Sequence, residues 1–129
     1  MSTELDCLMR DGYRCFRCGR PLANFPHNCH HRLTAGLGPD TPENRISLCG
    51  FGNNLRNADG VTLCHGFAHQ NGTLARAEGW IISRHAKEPP ELIPVRHWQL
   101  GMVLLTADCQ ITDLEGHALA VGTERGERF

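Results

Sequence analysis

The sequence predicts a small α+β domain braced by zinc, with short flanking helices and strands toward the C-terminal end. Its 129 residues are one domain's worth of chain. Only 40% are hydrophobic, and 14 Gly with 7 Pro break the chain into short elements, so the core is thin and needs a brace. Seven cysteines and eight histidines can supply that brace as metal ligands. Stretches of helical period and short alternating runs both occur, which makes the class α+β. No repeat or low-complexity segment interrupts them, and residues 1–129 read as a single unit.

In "TELDCLMRDG", Leu5, Leu8 and Met9 recur at helical spacing, with Thr3 as the cap and Gly12 as the stop. "YRCFRCGRPL" follows as a knuckle, two cysteines two residues apart and then Gly19 and Pro21 for the tight turn. "PDTPE" is a loop and "NRISLCG" a strand. "FGNNLRNADGVTL" is rich in Gly and Asn and reads as a loop or small hairpin. "CHGFAHQN" places His65 and His69 one helical turn apart on one face. "TLARAEG" is a further short helix capped by Thr73. "WIISR", "LIPVRHW" and "MVLLTADCQITDL" read as strands, and "VGTERGERF" as a frayed tail.

The beginning of the chain carries acids and no apolar run, unlike a signal peptide, and no stretch reaches the roughly eighteen apolar residues of a membrane span. The chain therefore reads as a soluble cytoplasmic protein without a membrane partner, and in a reducing compartment a CxxC pair reads as a metal site before a disulfide. A net charge of −1 excludes the overall positive field of a tight non-specific nucleic-acid binder. Lys87 is the sole lysine, and a GC-rich coding sequence explains that arginine bias as well as phosphate recognition does.

A tetrahedral zinc site commonly draws its four ligands as two close pairs from distant segments. Cys15 and Cys18 are one pair; Cys49 and Cys64, at the two edges of the Gly/Asn-rich loop, are the second if the loop's ends meet. Cys7, Cys29 and Cys109 read as ordinary buried thiols, with Cys29 the substitute ligand nearest the histidines. In "HNCHH", His30 and His31 are adjacent, so on a strand their rings point to opposite faces and serve one site only at a strand end or bend. That suits a division of labour in which one ring binds a cation and the other takes a proton from water. His65 and His69 offer two more nitrogens to the cation, and no glutamate lies between them to make a peptidase HExxH. His27, His85, His97 and His117 read as uninformative surface histidines.

Taken together, "YRCFRCGRPL…CHHRL…PENRISLCG…CHGFAH…EGW", over roughly residues 10–80, resembles the HNH endonucleases, in particular the small HNH proteins of phages that infect GC-rich bacteria. The resemblance implies a ββα-metal core and a DNA endonuclease active in the host cytoplasm; residues 81–129, by their own pattern, are a C-terminal strand extension. By position His31 matches the general base, Asn44 the central Asn and His30 the first ligand of the catalytic ion; the final ligand of the family falls on His69 or His65, and the HxxxH spacing of its colicin-type members argues for both. Cys15, Cys18, Cys49 and Cys64 match the ligands of a structural zinc, although the stretch between Cys49 and Cys64 is longer than the family's usual link. Three imidazoles favour Zn²⁺, Ni²⁺ or Mn²⁺ as the catalytic ion, and cellular abundance favours Mg²⁺. The resemblance further implies DNA as the partner, delivered in packaging-associated relatives by the phage terminase. Arg32 and Arg45 flank the site in sequence as candidate phosphate contacts.

The competing reading is a zinc-braced adaptor that binds nucleic acid or protein and cuts nothing; it needs no base, Asn or second ion. A zinc deaminase would carry HxE and PCxxC, and neither is present. A CxxC oxidoreductase would set its pair in a βαβ unit rather than before Gly19 and Pro21.

Overall fold

The computed structural model describes residues 3–34, 38–50 and 62–121. Its mixed helix and sheet agree with the α+β expectation. Helix α1 (Thr3–Arg10) precedes strand β1 (His27–His31), a 3-10 turn (Pro42–Asn44) and strand β2 (Arg45–Cys49). Helices α2 (Cys64–Gln70) and α3 (Gly72–Ala77) follow, then a second 3-10 turn (Pro90–Leu92) and strands β3 (Val95–His97), β4 (Gly101–Leu105), β5 (Ile111–Thr112) and β6 (Ala118–Leu119). β1 and β2 form an antiparallel pair, with His30 opposite Ile46 and His31 opposite Arg45; β3 to β6 form a separate antiparallel meander. Phe16, Ile46, Leu48, Leu63 and Ala68 share one apolar core with Trp80, Val95, Val103, Leu105 and Ile111, so the meander packs on the same interior as the strand pair.

The outer edge of β2 is closed by the chain that follows α1. Ser47 N–H donates to Asp11 Oδ2 at 3.0 Å, and Ser47 O accepts from Phe16 N–H at 2.7 Å. Arg10 pairs with the fully buried Asp11 at 2.8 Å and donates onward to the carbonyls of Pro42 (2.8 Å) and Arg45 (2.7 Å). These contacts cover the middle of an edge that would otherwise be a template for a foreign strand.

Several expectations are corrected. Helix α3 starts at Gly72 after Asn71, without a side-chain cap, so Thr73 lies inside its first turn. "WIISR" is not a strand: Trp80 N–H returns to Ala75 O to end the helix (2.9 Å), and Ile82 N–H makes a single backbone bond to Arg32 O (2.8 Å). The apolar content of that run reflects its place beneath the core, since Trp80 and Ile82 are buried. "LIPVRHW" is a strand only over Val95–His97, and "MVLLTADCQITDL" splits at Cys109, whose φ of 66° turns the chain between β4 and β5. Residues 51–61 of the Gly/Asn-rich loop and the tail from 122 lie outside the described residues. Among the described residues no helix is long and apolar enough to cross a membrane.

Arg32 and Arg45 are not surface phosphate contacts. Arg32 is 1% exposed, and its guanidinium donates to the carbonyls of Gly79 (2.9 Å), Glu43 (2.9 Å), Pro90 (3.1 Å) and Ile93 (2.7 Å). Three segments meet at one cation with no carboxylate among those acceptors. An arginine fork suits this task because its donors are fixed in a plane. Arg45, also buried, donates to Asp40 and to Cys29 O. His97 is likewise interior: its Nδ1 accepts from Gln99 N–H (3.0 Å) and Leu100 N–H (3.2 Å), and burial pulls its pKa down to about 4.

Replacing Arg32 with Met orphans up to four carbonyls and should destabilise the fold by about 3 kcal/mol or more in urea denaturation. A loss under about 1 kcal/mol would mean that the carbonyls find other donors. His97 makes a second prediction. The unfolded imidazole binds a proton near its ordinary value of 6.5 and the folded one only near 4, so this contribution to stability is complete above pH 6.5 and declines as pH falls toward 4. In His97→Gln the stability-against-pH slope in that window should shrink by about one proton, and an unchanged slope would exclude the assignment.

Candidate functional site

The knuckle depends on a residue without a side chain. Gly19 has a φ of 80°, and a Cβ there would stand 2.5 Å from the Trp98 ring, so the turn after Cys18 admits only glycine without rearrangement. The other cysteine pair is brought together at the mouth of the long loop, where a Cβ on Gly50 (φ 86°) would lie 2.9 Å from Leu63 Cβ. Cys49 thus ends β2 and Cys64 begins α2 side by side, with Cys64 N–H directed at Cys49 Sγ at 3.3 Å. The ligand atoms of Cys15, Cys18, Cys49 and Cys64 all lie within 4.8 Å of one another; three of the residues are buried and Cys18 is exposed.

This set can hold a structural metal such as zinc. Hydrogen bonding with Cys18 pushes the Cys15 thiol far above its ordinary value, the same contact holds Cys18 far below it, and Cys15 draws Cys49 down to about 7. Sulfurs packed this closely cannot all ionise unless a cation takes up their charge. Arg17 adds positive charge from outside, with Nη1 3.3 Å from Cys64 Sγ and its guanidinium stacked on Phe67 (3.7 Å) and Trp80 (5.1 Å). Cys29 is not in the group. It lies across β1 beside Cys7, whose thiol is pushed up first by its hydrogen bond with Cys29.

A second group forms where β1 meets α2. His30, His65 and His69 bring their ligand nitrogens within 4.8 Å of one another, with ring centroids 5.3, 5.3 and 4.7 Å apart. His30 is 3% exposed, His65 half-buried and His69 exposed, so the group is closed on the strand side and open toward solvent. His30 Nε2 lies 2.8 Å from Trp80 O. A carbonyl accepts only, which puts the proton on Nε2 and leaves the lone pair on Nδ1, the arrangement by which an imidazole that could hold a metal is usually oriented. Burial first, then the neighbouring imidazoles, push His30 down to about 3, so its ring is neutral at physiological pH. Four cysteines would complete a tetrahedral shell by themselves, whereas three imidazoles would leave a bound ion a further position for water or a ligand oxygen.

His31 is the last residue of β1, and its ring is held separately from this group: its Nε2 is 2.8 Å from Asp40 Oδ1. Asn44 is fully buried in the 3-10 turn. Its Oδ1 accepts from Leu33 N–H (2.8 Å), and its Nδ2 donates to Leu33 O (3.0 Å) and Pro39 O (2.9 Å), fastening both ends of the loop after the doublet.

Sequence reasoning missed three features. Asp40 stood inside "PDTPE" with nothing to mark it as a partner of His31. Arg76 and Arg84, both exposed, line a hollow of about 370 Å³ with Leu33 and Thr34, just past the doublet. The C-terminal stretch also holds clustered potential ligands, Asp113, Glu115 and His117. These are largely spent on the turn between β5 and β6, where Asp113 Oδ1 accepts from the backbone N–H groups of Glu115 and His117, both at 2.9 Å.

No protein-family model matches the chain, and no curated protein or solved structure is significantly similar to it.

One tightly held zinc per chain is expected at the four cysteines. Elemental analysis should find it lost in Cys49→Ser and Cys64→Ser and kept in Cys29→Ser. Release of zinc by Cys29→Ser with retention in Cys64→Ser would overturn the ligand set.

Proposed function

We propose that the chain is a metal-dependent DNA endonuclease of the HNH type, in which β1, β2 and α2 form the ββα-metal core and His31 is the general base. One observation carries the reading: three imidazoles whose ligand nitrogens lie within 4.8 Å of one another stand beside the strand whose last residue is a fourth histidine held separately. An adaptor braced by zinc needs only the cysteine set. Phosphodiester hydrolysis needs both a cation and a base.

The residues divide the work. His30, with Nδ1 free of its hydrogen bond to Trp80 O, would hold a divalent ion with His65 and His69. When bound, that ion supplies positive charge to the phosphate oxygens and the leaving oxygen as negative charge builds there. His31 would accept the proton of the attacking water, a role its neighbour cannot share, because a nitrogen that ligates a metal has no lone pair left for a proton. Asn44 keeps the loop after the doublet in place through Leu33 and Pro39. With Arg32 and Arg45 engaged internally, Arg76 and Arg84 are the exposed cations best placed to meet a phosphate backbone. DNA as substrate, host cytoplasm as location and a packaging terminase as partner rest on the sequence resemblance; a net charge of −1 accords with DNA being delivered by a partner.

The test is cleavage of supercoiled plasmid by purified protein across Mg²⁺, Mn²⁺, Ni²⁺ and Zn²⁺. His31→Ala should bind both metals and cut roughly 10²- to 10⁴-fold more slowly. His30→Ala and His69→Ala should keep the structural zinc and lose the second ion in calorimetric titration. A His31→Ala protein that loses the second ion while His30→Ala retains it would reverse the two roles. No cleavage with any of the four ions would leave the adaptor reading standing.

A further inference from the structure

The ring of His31 is not left to solvent. Its only hydrogen bond in the described structure runs from Nε2 to Asp40 Oδ1 at 2.8 Å. The Asp40 side chain is 74% exposed, and such a group would ordinarily sample many rotamers. Two contacts hold it. Arg45, whose side chain is 8% exposed, donates Nη1 to the same Oδ1 and Nη2 to Cys29 O. Arg45 is also the register partner of His31 across the β1–β2 pair, so base and guanidinium stand on one face of the ladder with the carboxylate between them. From the loop side, Asn44 Nδ2 grips Pro39 O, the residue immediately before Asp40.

We propose that Asp40 is the positioning residue of the base: its carboxylate holds His31 as the Nε2–H tautomer, so that Nδ1 is the atom that accepts the proton from water. The inference rests on the nuclease reading for its catalytic consequence, and on geometry alone for the tautomer. An ionised carboxylate only accepts, so the shared proton belongs to Nε2 and the lone pair to Nδ1. In the reaction the water oxygen forms the new bond to phosphorus and its proton passes to Nδ1. The bond from phosphorus to the leaving oxygen breaks with its electron pair on that oxygen, which is protonated from solvent. The imidazolium formed on the way then faces the Asp40 carboxylate through Nε2–H, a charge pair made during the step and absent before it. Contact with His31, and then the charge of Arg45, hold the Asp40 carboxyl below its ordinary range, so the carboxylate is ionised when the base is neutral. Asn44 thereby acts on the base at one remove, through Pro39 and Asp40.

The experiment has two arms on the full zinc-loaded chain. In the first, nitrogen-15 chemical shifts of the His31 ring, read without a second metal, should report the Nε2–H tautomer in the wild type and a mixture of tautomers in Asp40→Ala. In the second, Asp40→Ala should lower kcat about 10- to 100-fold with KM nearly unchanged. Asp40→Asn, which keeps an oxygen able to serve both donors, should recover part of that loss. In a His31→Ala background Asp40→Ala should add nothing, because a residue that works through the base has no effect once the base is gone. An Nδ1–H tautomer in the wild type, an unchanged or raised kcat in Asp40→Ala, or additive losses in the double variant would each overturn the proposal. If the wild type cuts no DNA with any ion, the nuclease reading falls and the tautomer measurement alone decides whether Asp40 holds His31.

Discussion

Convergence of four sulfurs on one point is the constraint from which the rest of the site follows. Cys15 and Cys18 come from the knuckle before β1, Cys49 is the last residue of β2, and Cys64 is the first of α2. Drawing them together fixes where α2 begins relative to the strand pair. Since His65 and His69 sit on the first two turns of that helix, the same closure presents them to His30 across β1. A helix of 7 residues has little stability of its own. Its direction is imposed by its first residue.

Around that point buried arginines tie the segments of the interior together. Arg10 ties α1 to the 3-10 turn before β2, and Arg32 gathers the carbonyls of Glu43, Gly79, Pro90 and Ile93. Arg45 secures Asp40 and Cys29 O. A guanidinium can satisfy several carbonyls at once, which suits a small domain whose loops turn inward and whose backbone acceptors would otherwise lie buried without donors. The meander contributes from the other side. The Trp80 indole N–H donates to Arg96 O at 2.9 Å, while Trp80 O receives His30 Nε2–H, so one residue links β3 to the orientation of the His30 ring. The C-terminal strands therefore support the site although none of its candidate groups comes from them.

Much of the candidate site was legible because its residues carry short-range signatures. The CxxC pair with its glycine, the histidine doublet and the HxxxH spacing each depend on a few neighbouring positions, and the elements that bear them formed where their patterns indicated. Strand β1 ends at His31, the place at which adjacent rings can divide two roles. What escaped notice depends on distant partners. Arg32 and Arg45 look like any arginine beside a polar motif, and only the carbonyls of segments 11 to 61 residues away make Arg32 interior. His97 was read as a surface group for the same reason. "WIISR" has the composition of a strand, yet a run becomes a strand only if a neighbour offers a ladder, and here the chain meets Arg32 O once and passes on.

By itself the sequence determined the mixed fold class, the ligand types, and which pairs would stand close together, since those follow from backbone periodicity and from the chemistry of sulfur and imidazole. Only the tertiary structure decided that Cys49 and Cys64 meet, that His30 turns its Nδ1 toward the helix, and that Asp40 reaches the ring of His31. The reason is range. A spacing of two or four residues is set by the local chain, whereas the proton on an imidazole nitrogen is set by whichever acceptor the fold brings within 2.8 Å of it.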